Sequence, residues 1–146
     1  MRDNVEGTLK HMLFLTRHLN RCSVQYVVIV LLLELGISTK YDGYEYLKQA
    51  IILYYKDPTQ LVTKELYPAV AKQCGGRVTW IQVEAAIRWT IKQAWAKRDN
   101  NIWRRYFPTD LDGNIKKPTN TVFISRITNA LELWKGCCEA YENQGL

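Results

Sequence analysis

One stretch of the chain concentrates the residues that could bind a polyanion. Residues 77–105 hold seven cations and two acids, a net charge of +5, whereas the whole 146-residue chain carries +6. The cations are Arg77, Arg88, Lys92, Lys97, Arg98, Arg104 and Arg105. A local basic patch on an otherwise nearly neutral chain indicates a polyanionic partner. The alternative is a basic helix face that is simply solvated.

The centre of this stretch, "TWIQVEAAIRWTIKQAWAKR" (79–98), has helical spacing and two unlike faces. Thr79 followed by Gln82 is a capping-box pattern, so we predict a helix over 79–98. At 100° per residue, its buried side comprises Trp80, Val83, Ile87, Thr90, Ile91 and Ala94. The opposite side comprises Gln82, Ala85, Trp89, Lys92 and Ala96, with Arg88 at its edge. That second side is expected to bind the partner.

The residues before this helix complete a helix-turn-helix pattern. A short helix is predicted over 66–74, with Pro68 in its first turn, and Gly75 and Gly76 end it. Ala71 supplies the small side chain needed where the two helices cross. A small, polar and cationic face on the second helix would fit the major groove, which is about 12 Å wide.

Roles follow from the hydrogen-bonding groups of each side chain. Gln82 is a candidate for adenine, Glu84 for the amino group of cytosine, and Arg88 for guanine or a phosphate. Trp89 has three readings: a partly buried core residue, a protein contact such as a dimer, or a contact with sugar or a thymine methyl group. The phosphate-contact candidates are Arg77, Lys92, Lys97, Arg98, Arg104 and Arg105.

The rest of the sequence predicts the frame that holds this unit. Hydrophobic residues make up 47% and charged residues 23%, enough for one real core. Helical spacing recurs and alternating strand patterns are absent, so we predict an all-α, compact bundle of about six to seven helices. The predicted helices span 5–20, 23–35, 44–56, 66–74, 79–98 and a last one from 119–120 onward. Shorter helical pieces are indicated at 59–64 and 100–107, and a loop is predicted over 108–118.

Other functional classes find little support. The four cysteines form no CxxC pair, and the two histidines lie in a different region from any cysteine cluster, so we expect reduced thiols and no metal. The apolar run 27–37 is too short for a membrane span and contains Glu34. Asp110 and Asp112 lack partner ligands, and no nucleophile–base pair or phosphate loop is present. We therefore expect a cytoplasmic protein that is not an enzyme, without a cofactor, a small-molecule ligand or a membrane partner.

Four stretches, in matching order and spacing, resemble one family: "ELGISTKYDGYEYLKQAI" (34–51), "LYPAVAK" (66–72), "VEAAIRWTIKQAW" (83–95) and "KPTNTVFI" (117–124). Over about residues 28–133 the sequence resembles the C-terminal effector domain of the response regulator that starts sporulation in endospore-forming bacteria. The resemblance implies an all-helical domain that binds short operators in double-stranded DNA, often as a tandem dimer, and activates or represses promoters. A homodimer and RNA polymerase are further expected partners.

The reading helix departs from the family at informative positions. The family pattern is Arg-Val-Glu-Arg-Ala-Ile-Arg-His, and the matching residues here are Val83, Glu84, Ala86, Ile87 and Arg88. Gln82, Ala85 and Trp89 stand where the family has Arg, Arg and His. The turn "CGGRVTWIQ" is about two residues longer, and Arg77 within it could restore a backbone contact. We therefore expect this chain to read a different operator.

The chain divides into an N-terminal helical extension, 1–23, and an effector-like DNA-binding domain, 24–146. The extension either dimerises or packs on its own domain. About 23 residues leave no room for a receiver domain, so a complete chain would lack control by its own phosphorylation. The leading hypothesis is a sequence-specific DNA-binding transcription regulator that reads the major groove with helix 79–98. The alternative is a protein-interaction module or antagonist with the same fold and a degraded DNA face, favoured by the two missing arginines and by Trp89.

Overall fold

The helices begin and end close to where the sequence predicts them. The computed structural model describes residues 5–19 and 23–143, and within them no strand is present, only one isolated bridge between Thr109 and Ile115. The seven α-helices of these residues are α1 (Val5–Leu19), α2 (Val24–Glu34), α3 (Asp42–Lys56), α4 (Tyr67–Gln73), α5 (Trp80–Ala96), α6 (Asn100–Trp103) and α7 (Asn120–Asn143). The prediction of an all-α bundle is confirmed.

Two predicted helices differ in the structure. The piece expected over 59–64 is a π-helical turn, Val62–Leu66, which runs directly into α4. The helix expected over 100–107 stops at Trp103 and continues as turns, with the Phe107 amide still donating to the Trp103 carbonyl at 3.0 Å. Pro108 follows Phe107, and because the residue before a proline avoids the helical region, no helix continues past this point.

The core lies between α3 and the two longest helices. α3 packs on both α5 and α7, and its Leu47 and Ile51 are fully buried. α1 packs along α7, with Met12 and Leu15 buried, so within the described residues the N-terminal helix is docked on the body. Residues 1–4 and 20–22 of the predicted extension lie outside the described residues.

An aromatic cluster fixes the segment after α5 against α7. The Trp103 ring stacks on Phe107 at 5.1 Å between centroids and meets Phe123 of α7 edge-on at 6.0 Å. Trp95 of α5 meets Trp103 edge-on at 5.6 Å. Such pairs add to the free energy gained by burial, so this cluster holds the C-terminal end of α5 in place.

One glycine sets how closely α3 approaches α5. A Cβ atom added at Gly43, in the first turn of α3, would overlap Thr90 Oγ1 and the Ala86 carbonyl group of α5. The approach therefore requires glycine and buries the inner side of α5. Among the described residues, no helix is long and apolar enough to cross a membrane.

Candidate nucleic-acid interface

Two consecutive glycines with positive φ angles form the connection between α4 and α5. Gly75 and Gly76 have backbone φ angles of 96° and 70°, which residues other than glycine rarely adopt. The Gly76 amide donates to the carbonyl of Ala71 at 3.0 Å, and Ala71 is buried against the neighbouring helices. The two glycines thus allow the chain to leave α4 and enter α5 within six residues, Cys74 to Thr79.

The predicted capping box at the start of α5 is confirmed. The backbone N–H of Gln82 donates to Thr79 Oγ1 at 3.2 Å, and the backbone N–H of Thr79 donates to the side-chain Oε1 of Gln82 at 2.8 Å. Two backbone donors that the helix start would leave unsatisfied are therefore bonded. The bond from Thr79 occupies the side-chain Oε1 of Gln82, which is the oxygen that would accept a hydrogen bond from adenine.

The inner side of α5 is buried as predicted, with one exception. The buried residues are Val83, Ile87, Thr90, Ile91 and Ala94. Trp80, predicted to be buried with them, is 41% exposed. Its neighbours Arg77, Thr79 and Ile81 are exposed as well, so the first turn of α5 extends past the packed body. Helical periodicity cannot show where a helix leaves its supporting core, and the prediction for Trp80 was wrong for that reason.

The opposite side of α5 is open to solvent. Arg88 has 63% of its side chain exposed and Trp89 is 51% exposed, and Lys92 is exposed one turn further on. Ile81, at 58%, belongs to the same face and was missed by the sequence reasoning. Its spacing of four residues from Ala85 was the available signal, because residues i and i+4 share a helix face. We call this exposed side of α5 the reading face; its members are Ile81, Gln82, Ala85, Arg88, Trp89, Lys92 and Ala96.

Arg88 is held in position by its own helix. Its Nη1 donates to Glu84 Oε1 at 2.5 Å, and the Glu84 side chain is only 27% exposed. The side chain of Asn120, at the start of α7, donates to the Glu84 backbone carbonyl at 3.1 Å. Glu84 therefore orients the guanidinium of Arg88, and Asn120 ties this turn of α5 to α7.

Tyr67 supports the same junction from α4. It is buried beside Glu84 and Arg88, and its side chain hydrogen-bonds to that of Asn120. Burial raises the pKa of the Tyr67 hydroxyl above its ordinary value, so this group is a neutral hydrogen-bonding partner. Three helices, α4, α5 and α7, thus meet behind Arg88 and fix the centre of the reading face.

A cleft of about 410 Å³ opens beside this junction, between α5 and the start of α7. Arg88 and Lys117 both line it, together with the exposed Thr119 and Thr121. Lys117 is thus a cation next to the reading face that the sequence reasoning missed. It lies in a loop, where no periodicity indicates which way a side chain faces.

The remaining cations of residues 77–105 fall into two groups. The side chains of Arg77, Lys92 and Lys97 are exposed and form no hydrogen bond or ion pair within the described part of the chain. Arg98 has several partners: its guanidinium lies 3.7 Å from the Trp95 ring centroid, and it donates to the Asn100 side chain and to the Trp95 carbonyl. Arg104 Nε donates to the carbonyl of Gly113 at 3.2 Å.

Arg105 belongs to a half-buried polar cluster centred on Glu34 of α2. Its Nη1 donates to Glu34 Oε1 at 2.6 Å, and His11 of α1 lies 2.9 Å from Oε2. The Tyr106 hydroxyl is 3.3 Å from both oxygens. Burial opposes ionisation of Glu34, but the hydrogen bonds and charges of His11 and Arg105 outweigh it and lower the pKa of this carboxyl. The cluster joins α1, α2 and the segment after α6.

Comparison with protein families identifies the region that contains this site. Residues 28–131, more than half of the chain, match the family described as "Sporulation initiation factor Spo0A C terminal". The matched region begins in α2, ends in α7 and contains the whole α4–α5 unit with the reading face.

Proposed function

The chain belongs to the family of Spo0A C-terminal domains, and from this premise we propose that it is a sequence-specific transcription regulator that reads the major groove of DNA with α5. The family is a DNA-binding regulatory domain of a sporulation factor and not an enzyme family. The observation that carries the proposal is the open reading face, where Arg88, Trp89 and Lys92 stand exposed on a firmly packed helix.

The shape and charge of this face suit a duplex. An α-helix with side chains is about 10–12 Å across, close to the width of the major groove. Arg88, oriented by Glu84, would reach guanine or a phosphate, and Lys92 would meet the backbone one turn later. Arg77 in the turn and Lys97 at the end of α5 would hold phosphates at the two ends of the helix.

Several other candidate DNA-contact residues already form hydrogen bonds within the protein, which makes them less available to DNA. Gln82 could read adenine through both its oxygen and its nitrogen only by leaving the capping box, and Glu84 could accept from cytosine only by releasing Arg88. Arg98, Arg104 and Arg105 would likewise have to exchange partners inside the protein for phosphates. We therefore assign base reading mainly to Arg88 and Trp89.

A second candidate function keeps the fold but changes the partner. Trp89 and Ile81 are large apolar side chains exposed on the same face. Exposed aromatic residues are enriched in protein interfaces, so a second copy, RNA polymerase or a full-length regulator could meet this surface instead. The concentrated positive charge of residues 77–105 favours DNA over these partners.

Selection of bound sites from a random duplex pool tests the proposal. We expect one enriched sequence family, bound with an affinity that falls with salt at a log–log slope near −4, as for about four or five phosphate contacts. Fluorescence polarisation with the enriched duplex and with a scrambled duplex at several salt concentrations provides both numbers. Absence of any enriched sequence would assign the chain to the interaction module.

A further inference from the structure

Three apolar residues form a line along the reading face. Ile81, Ala85 and Trp89 follow one another at intervals of four residues, about 6 Å along the helix axis. Ile81 and Trp89 are exposed and Ala85 is partly exposed, so the line is accessible throughout. Apart from the indole N–H of Trp89, these side chains offer no hydrogen-bond donor or acceptor to a base.

Two polar side chains beside this line are already bonded within the protein. Gln82 is bonded in the capping box, and Glu84 holds Arg88. Arg88 and Lys92, four residues apart, place positive charge along one side of the line, and Arg77 precedes it. The surface is therefore an apolar strip beside cations, complementary to a ligand that carries a methyl group next to phosphates.

Thymine is the base that meets this description. In the major groove the edges of the bases present donors and acceptors, and thymine adds the C5-methyl group, which apolar side chains contact. We propose that α5 recognises thymine methyl groups through Ile81, Ala85 and Trp89, and that its operators carry thymines beneath this line. The inference rests on the proposed DNA-binding function and specifies which base the altered reading face selects.

A second copy of the chain fits the strip less well. A two-fold symmetric dimer would place the same patch of both copies in contact, bringing Arg88 and Lys92 against their own counterparts. A stable protein interface also buries about 800 Å² on each partner, far more than three side chains provide. Charge complementarity thus favours the duplex.

Replacement of thymine by uracil isolates the methyl group. Synthetic duplexes of the selected sequence would carry either thymine or uracil within the protected site, and matched duplexes would carry uracil only outside it. Each methyl group contacted is expected to contribute about fourfold in affinity, so loss of two or three should weaken binding about fifteenfold to sixtyfold. Uracil outside the site should change nothing.

Protein variants show whether this strip makes the contact. Trp89→Ala and Ile81→Ser should bind the thymine duplex more weakly and lose much of the difference between thymine and uracil. Leu111→Ser removes an apolar side chain that is even more exposed but lies outside α5, and should retain the full difference. Thermal unfolding of each variant verifies that it is folded.

Equal affinity for thymine and uracil duplexes would overturn the inference while leaving sequence-specific DNA binding intact. A thymine preference that persists unchanged in both Trp89→Ala and Ile81→Ser would also overturn it, since other residues would then read the methyl groups. Self-association that is lost in the same two variants, with no uracil effect, would assign the strip to a protein contact. Failure to select any duplex, by contrast, would count against the proposed function itself.

Discussion

Two halves of one basic segment behave differently in this molecule. The open half, residues 77–97, carries Arg77, Arg88, Lys92 and Lys97, all of which are exposed. The closed half, residues 98–105, carries three arginines, and each donates to a partner inside the protein. Those partners include a side-chain amide oxygen for Arg98, a backbone carbonyl for Arg104 and a carboxylate for Arg105.

The charge density of the sequence identifies a basic region, but it does not show which of its side chains are free to bind a partner. A guanidinium has five donors in a planar fork and stacks on aromatic rings, so it can join elements within a fold. The closed half uses these properties to fasten the segment after α5, as where Arg98 lies over Trp95 and Arg105 reaches α2. In the open half, the side chains of Arg77, Lys92 and Lys97 are unpaired within the described residues, and Arg88 stays 63% exposed although it donates to Glu84.

The largest expected effect comes from removing charge in the open half. The double variant Arg88→Ala/Lys92→Ala should weaken binding to a selected duplex about a hundredfold, because it loses one oriented base contact and one phosphate contact. Its salt slope should become shallower by about 1 to 2 units. Fluorescence polarisation across a salt series measures both quantities.

The matched control removes two charges from the closed half. Arg104→Ala/Arg105→Ala should change duplex affinity less than about fivefold at a temperature where it remains folded, because only long-range attraction is lost. Equal losses of affinity and of salt slope in the two double variants would contradict the inference that only the open half contacts DNA.

The second expected effect concerns stability rather than binding. Arg105→Ala should lower the free energy of unfolding by about 1–2 kcal/mol, because Glu34 stays half-buried without its 2.6 Å donor. The loss is limited because Arg105 is 35% exposed and His11 remains beside the carboxylate. Urea unfolding provides the number, with Lys92→Ala, an exposed cation of the open half, as the unaffected comparison. A stable Arg105→Ala protein with weakened DNA binding would place Arg105 on the interface instead.

The sequence predicted the fold well because its signals are local. Thr79 and Gln82 define the start of α5 through contacts within one turn, and Gly75 and Gly76 define the turn through their own φ angles. Differences arose where the outcome depends on more distant packing. Periodicity did not indicate the π-helical turn at Val62–Leu66 or the exposure of Trp80.

The sequence predicted which face of α5 is exposed, but it could not predict the contacts that this part of the chain makes with distant residues. Helical spacing indicated that Arg88, Trp89 and Lys92 lie opposite the buried stripe, and the structure shows them exposed. Spacing could not indicate that Glu34, more than seventy residues away in the chain, binds Arg105. Nor could it place Lys117 beside Arg88, because that proximity depends on how α7 packs against α5. Contacts distant in sequence decide which charges remain available.

The smallest expected effect tests a residue of the open half that has an internal partner. Gln82→Ala should lower the free energy of unfolding by about 0.5–1 kcal/mol, because the Thr79 amide loses its acceptor, whereas Gln82→Glu retains an acceptor for the capping box. If Gln82 serves only the cap, Gln82→Ala should select the same duplex sequences, in the same order, as the unaltered chain. A changed preference at an adenine, found by repeating the selection with Gln82→Ala, would show that the side chain leaves the cap when DNA binds. The capping bond would then be a resting position, and the open half would contain one more base-reading residue than its unbound geometry indicates.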